Sequence, residues 1–290
     1  MNQNPDMTTD PHITYLSSPK AVNMGNDWFD IASLSHFWIR RRFEVLQRML
    51  ARVPLRGTRI AEIGCGNGLL QAQMAAAMGV AVDGFDLNLE ALKKTQARSG
   101  NLYYYDIHDR RPELEKRYHS ILLFDVIEHI EDEAAFMRSV LFHLAQDGLL
   151  YVNVPALDSL HSAYDTAVGH VRRYNIDTLT ELAGRSGLAI LEWTYWGLPM
   201  IPMLWLRKAI LTAATDPHTI RTGFDSRNRI VNEALLVLSH CEWIPQQLCG
   251  TSLMAVLTRQ TNILVPVEEE TAVLKPIAEP LAPSIVVSGH

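Results

Sequence analysis

The sequence predicts an α/β fold: a buried, mostly parallel sheet with helices on both faces, entered through an N-terminal helical cap. Three observations predict it. From Arg59 onward, apolar runs of strand length alternate with stretches of helical periodicity. Each run begins or ends beside Gly, Asp, Asn or Pro, the punctuation of βαβ units. The first run leads straight into a turn, "RIAEIGCGNGLL", which places Gly64, Gly66 and Gly68 directly behind an apolar run.

The elements follow in order. Residues 1–24 are polar and aperiodic and read as a disordered N-terminus. Between Asp27 and Arg52, Phe29, Ile31, Leu34, Phe37, Trp38, Phe43, Leu46 and Leu50 recur near helical spacing, so residues 25–57 form a helical cap. The core, residues 58–196, runs "RIAEIG", "GLLQAQMAAAM", "VAVDGFD", "LEALKKTQA", "NLYYYD", "SILLFDVI", "EAAFMRSVLFHL" and "GLLYVNVP", strand and helix by turns. A helix "IDTLTELAGRSG", with Asp177 or Thr178 as its cap and Gly187 as its stop, precedes the strand "LAILEWTYW". Residues 197–250 interpose helical, proline-punctuated material before the last strand, "SLMAVLTR", within 251–260. The tail, 261–290, is rich in Pro, Glu and Ala and reads as disordered.

Composition narrows the function classes. The chain has 290 residues, 48% hydrophobic, with a formal net charge of -6. That acidic balance speaks against general attraction to nucleic acid or acidic lipid. The cysteines Cys65, Cys241 and Cys249 form neither a disulfide framework nor a zinc pattern, and no apolar segment opens the chain, so a cytoplasmic protein is expected. The stretch "YWGLPMIPMLWLRKAILTAA" is apolar, but Pro199, Pro202, Arg207 and Lys208 interrupt it, so no stable membrane insertion is expected.

Glycine in a strand-to-helix turn lets a ligand lie against bare backbone. A dinucleotide fold would prefer G-x-G-x-x-G, with a pyrophosphate at the helix N-terminus. Here the spacing is G-x-G-x-G behind Glu62, an acid that would repel phosphate and welcome a cationic ligand. Further on, Asp86 closes the second strand, where an acid can accept both hydroxyls of an adenosine ribose. Other readings stand beside these: Glu62 as a surface acid, Asp86 as a cap of the next helix, Asp106 and Asp109 as caps of the one after, Cys65 as merely a small turn residue.

The ordered set "AEIGCGNG", "VDGFDLN", "YYYDIHD" and "FDVIEHIED" resembles the class I S-adenosylmethionine-dependent methyltransferases, most closely the small-molecule branch that includes the ubiquinone-biosynthesis O-methyltransferases. The resemblance covers residues 26–195. It implies a Rossmann-like seven-stranded sheet and S-adenosyl-L-methionine as cofactor. It also implies that Gly64, Cys65, Gly66 and Gly68 face the methionine part of the cofactor, with Glu62 beneath, near its ammonium group. Asp86 would hold the ribose hydroxyls and Leu87 would lie against the adenine. Asp106 and Ile107 would flank that base, and Phe124 and Asp125 would border the sulfonium. The family usually opens its fourth strand with Asp; here His119 and Ser120 stand there, far from the cofactor.

Ligands of an open α/β sheet collect beyond the carboxyl ends of its strands. The loops after "LLFDV" and "LYVNVP" therefore offer the acceptor pocket. Histidine titrates near neutrality, which suits a general base for a hydroxyl or ammonium acceptor. His170 in "GHVRRY" is the first choice and His129 the second. Tyr164, Arg172, Arg173 and Tyr174 are candidates to grip the acceptor, against the alternative of a solvated loop. The ubiquinone-type relatives carry a Glu-His pair associated with divalent metal, and "DVIEHIEDE" supplies Asp125, Glu128, His129, Glu131 and Asp132. No metal is the expectation, because the pair also occurs in metal-free members of the superfamily. One of Arg40, Arg41 and Arg42 could reach the cofactor carboxylate.

The insertion at 197–250 carries Trp196 at its edge, Trp205, Phe224 and Trp243, and would roof the pocket or form a dimer surface. The expected function is methyl transfer to an oxygen or nitrogen of a small, apolar or aromatic molecule. A metal-assisted O-methyltransferase of a quinone or lipid precursor and a non-catalytic cofactor-binding subunit are the alternatives. No nucleic-acid partner is expected, and a homodimer is compatible.

Overall fold

Buried strands need neighbours to hydrogen-bond and a covered face on each side, and this chain supplies both for the inner strands of one sheet. The computed structural model describes residues 10, 12–18, 20, 32–95, 99–212 and 228–262. The strands are β1 (Ile13–Tyr15), β2 (Ile60–Ile63), β3 (Asp83–Asp86), β4 (Leu102–Tyr104), β5 (Tyr118–Phe124), β6 (Leu144–Pro155), β7 (Leu188–Trp196) and β8 (Ser252–Arg259). They form one eight-stranded sheet in the order β1-β4-β3-β2-β5-β6-β8-β7. Pairing is parallel from β1 to β6 and antiparallel where β8 runs between β6 and β7.

The helices are α1 (Phe37–Arg52), α2 (Leu69–Met78), α3 (Leu89–Lys93), α4 (Glu133–His143), α5 (Ala163–Val168), α6 (Ile176–Arg185), α7 (Ile201–Thr212) and α8 (Arg229–Ser239). Apolar side chains cover both faces of the sheet. Leu123, Val152 and Leu257 pack with Phe136 and Val140 of α4 and Leu179 and Leu182 of α6. Leu122, Tyr151 and Val256 pack on the other side with Leu46 and Met49 of α1 and Leu70 and Met74 of α2.

The strand count departs from the seven expected. The eighth is β1, in a segment that the sequence pattern leaves without structure. Its register sets Ile13 beside Leu102 and Tyr15 beside Tyr104, and Ile13 is buried. Three residues are too few for periodicity to register, although Ile, Thr and Tyr all favour strands. The disordered reading of 1–24 is thereby corrected for residues 12–18 and 20; residues 1–9, 11, 19 and 21–24 of that segment, 25–31 of the cap, 213–227 of the insertion and 263–290 of the tail lie outside the described residues.

One local signal resolves differently from the sequence reading. The cap of α6 is Asn175, not Asp177 or Thr178: its side chain accepts from Thr178 N at 2.8 Å, and Asn175 N donates to Thr178 Oγ1 at 3.0 Å. That reciprocal box satisfies two backbone donors at once. The insertion is helical as expected where described. α8 seats against α1, and α7 against α5. Phe37, Leu160, Met200, Leu204 and Leu236 make the small core between them.

Candidate active site

The carboxyl ends of β2, β3, β4 and β5 open on one cavity of about 560 Å³, roofed by α1, α5 and α7. Gly64 makes the turn possible. Its φ is +78°, and a Cβ there would lie 2.3 Å from Val126 Cγ2. Only glycine tolerates both demands.

Glu62 and Asp86 face this turn from below and from the side. Glu62 is buried, its Oε2 has no hydrogen-bond partner, and burial pushes its carboxyl up to about 8. Asp86 is anchored: Gly66 N donates to its Oδ2 at 2.7 Å and Asn88 N to its Oδ1 at 2.7 Å. Burial raises its carboxyl against those two amides. The helix-cap alternative for Asp86 is settled by Asn88, whose own side chain caps α3 through Ala91 N. Cys65 lines the cavity too, but burial drives its thiol pKa well up, so it stays protonated.

The next strand ends contribute Leu87, Asp106, Ile107, Phe124 and Asp125 to the same wall. Asp106 does cap the short turn after it, accepting from His108 N at 2.9 Å. It also meets Lys20 Nζ at 2.6 Å, a contact that overcomes burial and holds its carboxyl below the usual range. Asp125 sits at φ +56°, an uncommon backbone for a residue with a side chain, held by its N–H donating to Asn153 O at 2.8 Å. Asn153 Nδ2 donates to its Oδ1 at 2.7 Å, and Arg42 pairs with its Oδ2.

At the far end of the cavity Glu128, His129 and His170 converge. The two imidazoles meet edge to face, centroids 4.8 Å apart. His129 Nδ1 lies 3.2 Å from Gly169 O, so that nitrogen carries the proton; burial first, then His170, lowers its pKa to about 4. His170 Nδ1 lies 2.9 Å from Asp165 Oδ1, and its Nε2 lies 3.8 Å from Glu128 Oε1. Glu128 is fully buried with neither oxygen hydrogen-bonded, and burial, then Asp125, raises its carboxyl well above normal. Donor atoms of Glu128, His129 and His170 all lie within 4.8 Å of one another, the one such group among the described residues.

The structure brings most of the expected residues together and moves three away. Gly68 is not in the cavity wall; with φ +72° it starts α2 behind the turn. Arg172 and Tyr174 do not line it either. Arg172 pairs with Glu133 Oε2 at 2.6 Å, and Tyr174 OH donates to the same oxygen at 2.8 Å, so both are bound into the α4 side of the loop. Tyr174 is buried there, while Arg172 stays partly exposed but paired. Tyr164 and Arg173 do reach the wall.

Of the three N-terminal arginines, Arg42 enters the cavity, while Arg40 pairs with Glu233 and Arg41 with Glu242. Residues that the sequence reading missed are Lys20, Trp38, Asp165, Leu204 and Arg207. Asp165 carried one legible signal: "SAYD" is a capping-box spacing. Arg207 stacks over the Tyr164 ring at 4.2 Å from its centroid.

Residues 35–192 match the model of the methyltransferase domain family, over half of the chain. The chain belongs to the methyltransferase domain family. Similar curated proteins include a probable S-adenosylmethionine-dependent methyltransferase of Mycobacterium tuberculosis, 29% identical over 182 residues, 59% of this chain and 63% of that protein. Another is a ubiquinone biosynthesis O-methyltransferase of Xanthomonas campestris pv. campestris, 27% identical over 58% of this chain and 71% of that protein. The match thus spans a little under two thirds of the length of the first relative. Among solved structures, a chain from the complex of the Haloferax volcanii Trm112 methyltransferase activator superposes with a TM-score of 0.54 at 14% identity, covering 82% of this chain and 99% of that chain. That likeness is one of fold.

Proposed function

We propose that this methyltransferase uses S-adenosylmethionine to methylate an oxygen or nitrogen of a small apolar or aromatic molecule, with His170 as general base. The observation that carries the reading is one continuous cavity running from the glycine turn to the His129–His170 pair. A cationic cofactor and a neutral acceptor can meet inside it.

Several features of the wall fit the cofactor. Gly64 and Gly66 leave room for its methionine part, Glu62 offers an unsatisfied buried oxygen to its ammonium group, and Asp86 offers lone pairs to its ribose. Leu87 and Ile107 supply apolar walls for the adenine. The cofactor supplies an electrophilic methyl on a sulfonium. The chain aligns the acceptor and excludes water, effects worth up to ~7–11 kcal/mol. Removal of the acceptor proton by His170 Nε2 adds ~100- to 10,000-fold. Trp38, Leu204 and Tyr164 give the acceptor end its apolar and aromatic character. Methyl-labelled cofactor offered with a panel of phenols and amines tests this. Transfer to phenols or amines, lost in His170→Ala, is expected. Binding of NAD in preference to S-adenosylmethionine would overturn the reading.

A second reading has one observation in its favour. Donor atoms of Glu128, His129 and His170 lie within 4.8 Å of one another, near enough to converge on a divalent metal after small side-chain shifts. The donor set, one carboxylate and two imidazoles, suits Mn²⁺ or a later transition metal better than Mg²⁺. Such an ion would orient and polarise an acceptor hydroxyl. The reading without metal is preferred because a Glu-His pair after this strand also occurs in metal-free members of the superfamily that the sequence resembles.

The remaining expectations follow from the surface. No helix among the described residues is long and apolar enough to cross a membrane. The net charge of -6 supports a small-molecule partner over nucleic acid. Trp205, Leu206, Ile230 and Val237 are exposed on α7 and α8, which supports a homodimer contact there. Light scattering on the purified chain tests it.

A further inference from the structure

The cavity wall does not end at His170. Behind it lies Asp165, fully buried at the start of α5 and not itself part of the wall. Its two oxygens divide their work. Oδ2 accepts from Ser162 N at 2.9 Å and Ser162 Oγ at 3.1 Å, the capping box of α5. Oδ1 accepts from Arg173 Nε at 2.9 Å and lies 2.9 Å from His170 Nδ1. Arg173 is held in turn by Ala156 O at 2.9 Å, so the guanidinium that the sequence offered as a substrate grip serves the carboxylate instead.

We propose that Asp165 is a positioning residue that fixes His170 with its proton on Nδ1 and its lone pair on Nε2, facing the acceptor. The proposal rests on the reading of His170 as the base. An ionised carboxylate only accepts hydrogen bonds, so the nitrogen that meets it must carry hydrogen. Four donors from Ser162 and Arg173 surround Asp165, and these contacts, with His170, outweigh its burial and hold it ionised. The backbone repeats the constraint: His170 N donates to Asp165 O at 2.8 Å, so ring and carboxylate belong to one closed loop. The other groups facing the ring are Glu128 and His129, and neither can take the place of Asp165 at Nδ1.

In the proposed step the acceptor O–C bond forms as the S–C bond breaks. The acceptor proton passes to His170 Nε2, and Asp165 stays ionised beside the resulting imidazolium. This is the arrangement that orients histidine in hydrolase triads, where a carboxylate sets the tautomer without taking the proton.

Nitrogen NMR of the full chain with ¹⁵N-labelled histidine tests the proposal without any acceptor, with His170→Ala assigning the signal. The expected result is a neutral His170 ring protonated at Nδ1. The variant Asp165→Ala combined with Arg173→Met avoids leaving a buried guanidinium alone, and in it the proton should move to Nε2. Turnover should fall ~100-fold or more, towards the level of His170→Ala. A wild-type ring protonated at Nε2 overturns the proposal even if the double variant fails to fold. So does Nδ1 protonation that persists without Asp165. Full turnover by His170→Ala would instead overturn the base reading, while leaving the tautomer assignment intact.

Discussion

Arg41 of α1 and Glu242, which follows α8, meet at 3.2 Å with both side chains 1% exposed. Glu242 also accepts from Gly197 N at 2.9 Å and Leu198 N at 3.0 Å, where the insertion leaves β7. One carboxylate therefore joins the cap, the start of the insertion and its end.

Removing Glu242 would leave two backbone donors unpaired and the buried Arg41 guanidinium with Glu44 as its remaining carboxylate. Glu242→Ala should cost about 3–5 kcal/mol of stability, the usual result of breaking a buried pair from one side. Glu44, which also meets Arg41 at 3.3 Å, sets the lower end of that range. Denaturant melts check this, and a loss under 1 kcal/mol (roughly that of a surface pair) would show that the three contacts are dispensable.

Asp86→Ala should weaken S-adenosylmethionine binding by about 2–3 kcal/mol, because a charged acceptor of two hydroxyls is lost. Titration calorimetry on the folded variant is the measurement. Unchanged affinity would remove the ribose assignment.

Glu62 makes cofactor binding pH-dependent. In the free protein its carboxyl is pushed up to about 8 by burial, so at neutral pH it is mostly uncharged. A cationic ligand favours the ionised form. Binding should therefore release a proton below that pH, and affinity should rise with pH until about 8. The free protein behaves in the opposite sense: the stability that an uncharged Glu62 allows is full below the ordinary pKa of 4.5 and is lost as pH rises towards 8. Calorimetry in buffers of different ionisation enthalpy reads the proton. Glu62→Gln should abolish its release, and equal release by the variant would refute the role.

The two histidines separate by mutation. His170→Ala should leave cofactor affinity intact and lower turnover by ~100- to 10,000-fold, least at high pH where the acceptor ionises unaided. His129, held near 4 by burial, is too weak a base at neutral pH to replace it. A large loss in His129→Ala alone would reverse the assignment.

Extensive EDTA treatment should leave turnover unchanged. Loss restored by Mn²⁺ or Mg²⁺ would promote the metal reading and assign Glu128, His129 and His170 as its ligands.

The order of strands and helices was legible because each core strand is bounded by residues that break it. Glu62 and Asp86 stood out by their places beside the glycine turn and at a strand end, whereas Asp106 was picked out only through the family resemblance. What stayed hidden depends on contacts across the chain. Lys20 reaches Asp106 from 86 positions away, and Arg42 reaches Asp125 from 83. Arg172, Arg173 and Tyr174 are adjacent in sequence, yet only Arg173 points to the cavity, because Glu133 of α4 takes the other two. A loop without periodicity gives no means of telling such neighbours apart.

The central position of β8 constrains how this molecule acquires its structure. β8 is the one strand among the described residues that pairs with β7, apart from a single bridge from Tyr195 to Gln246, and β6 has β8 as its neighbour on the side away from β5. Until residues 252–259 leave the ribosome, β6 is an open edge and β7 lacks its strand partner. Such pairing over long sequence separations is intrinsically slow, and unpaired edges invite association between chains. The nascent chain thus holds an exposed sheet edge through the synthesis of the whole insertion, and a break before Ser252 would leave that edge open for good.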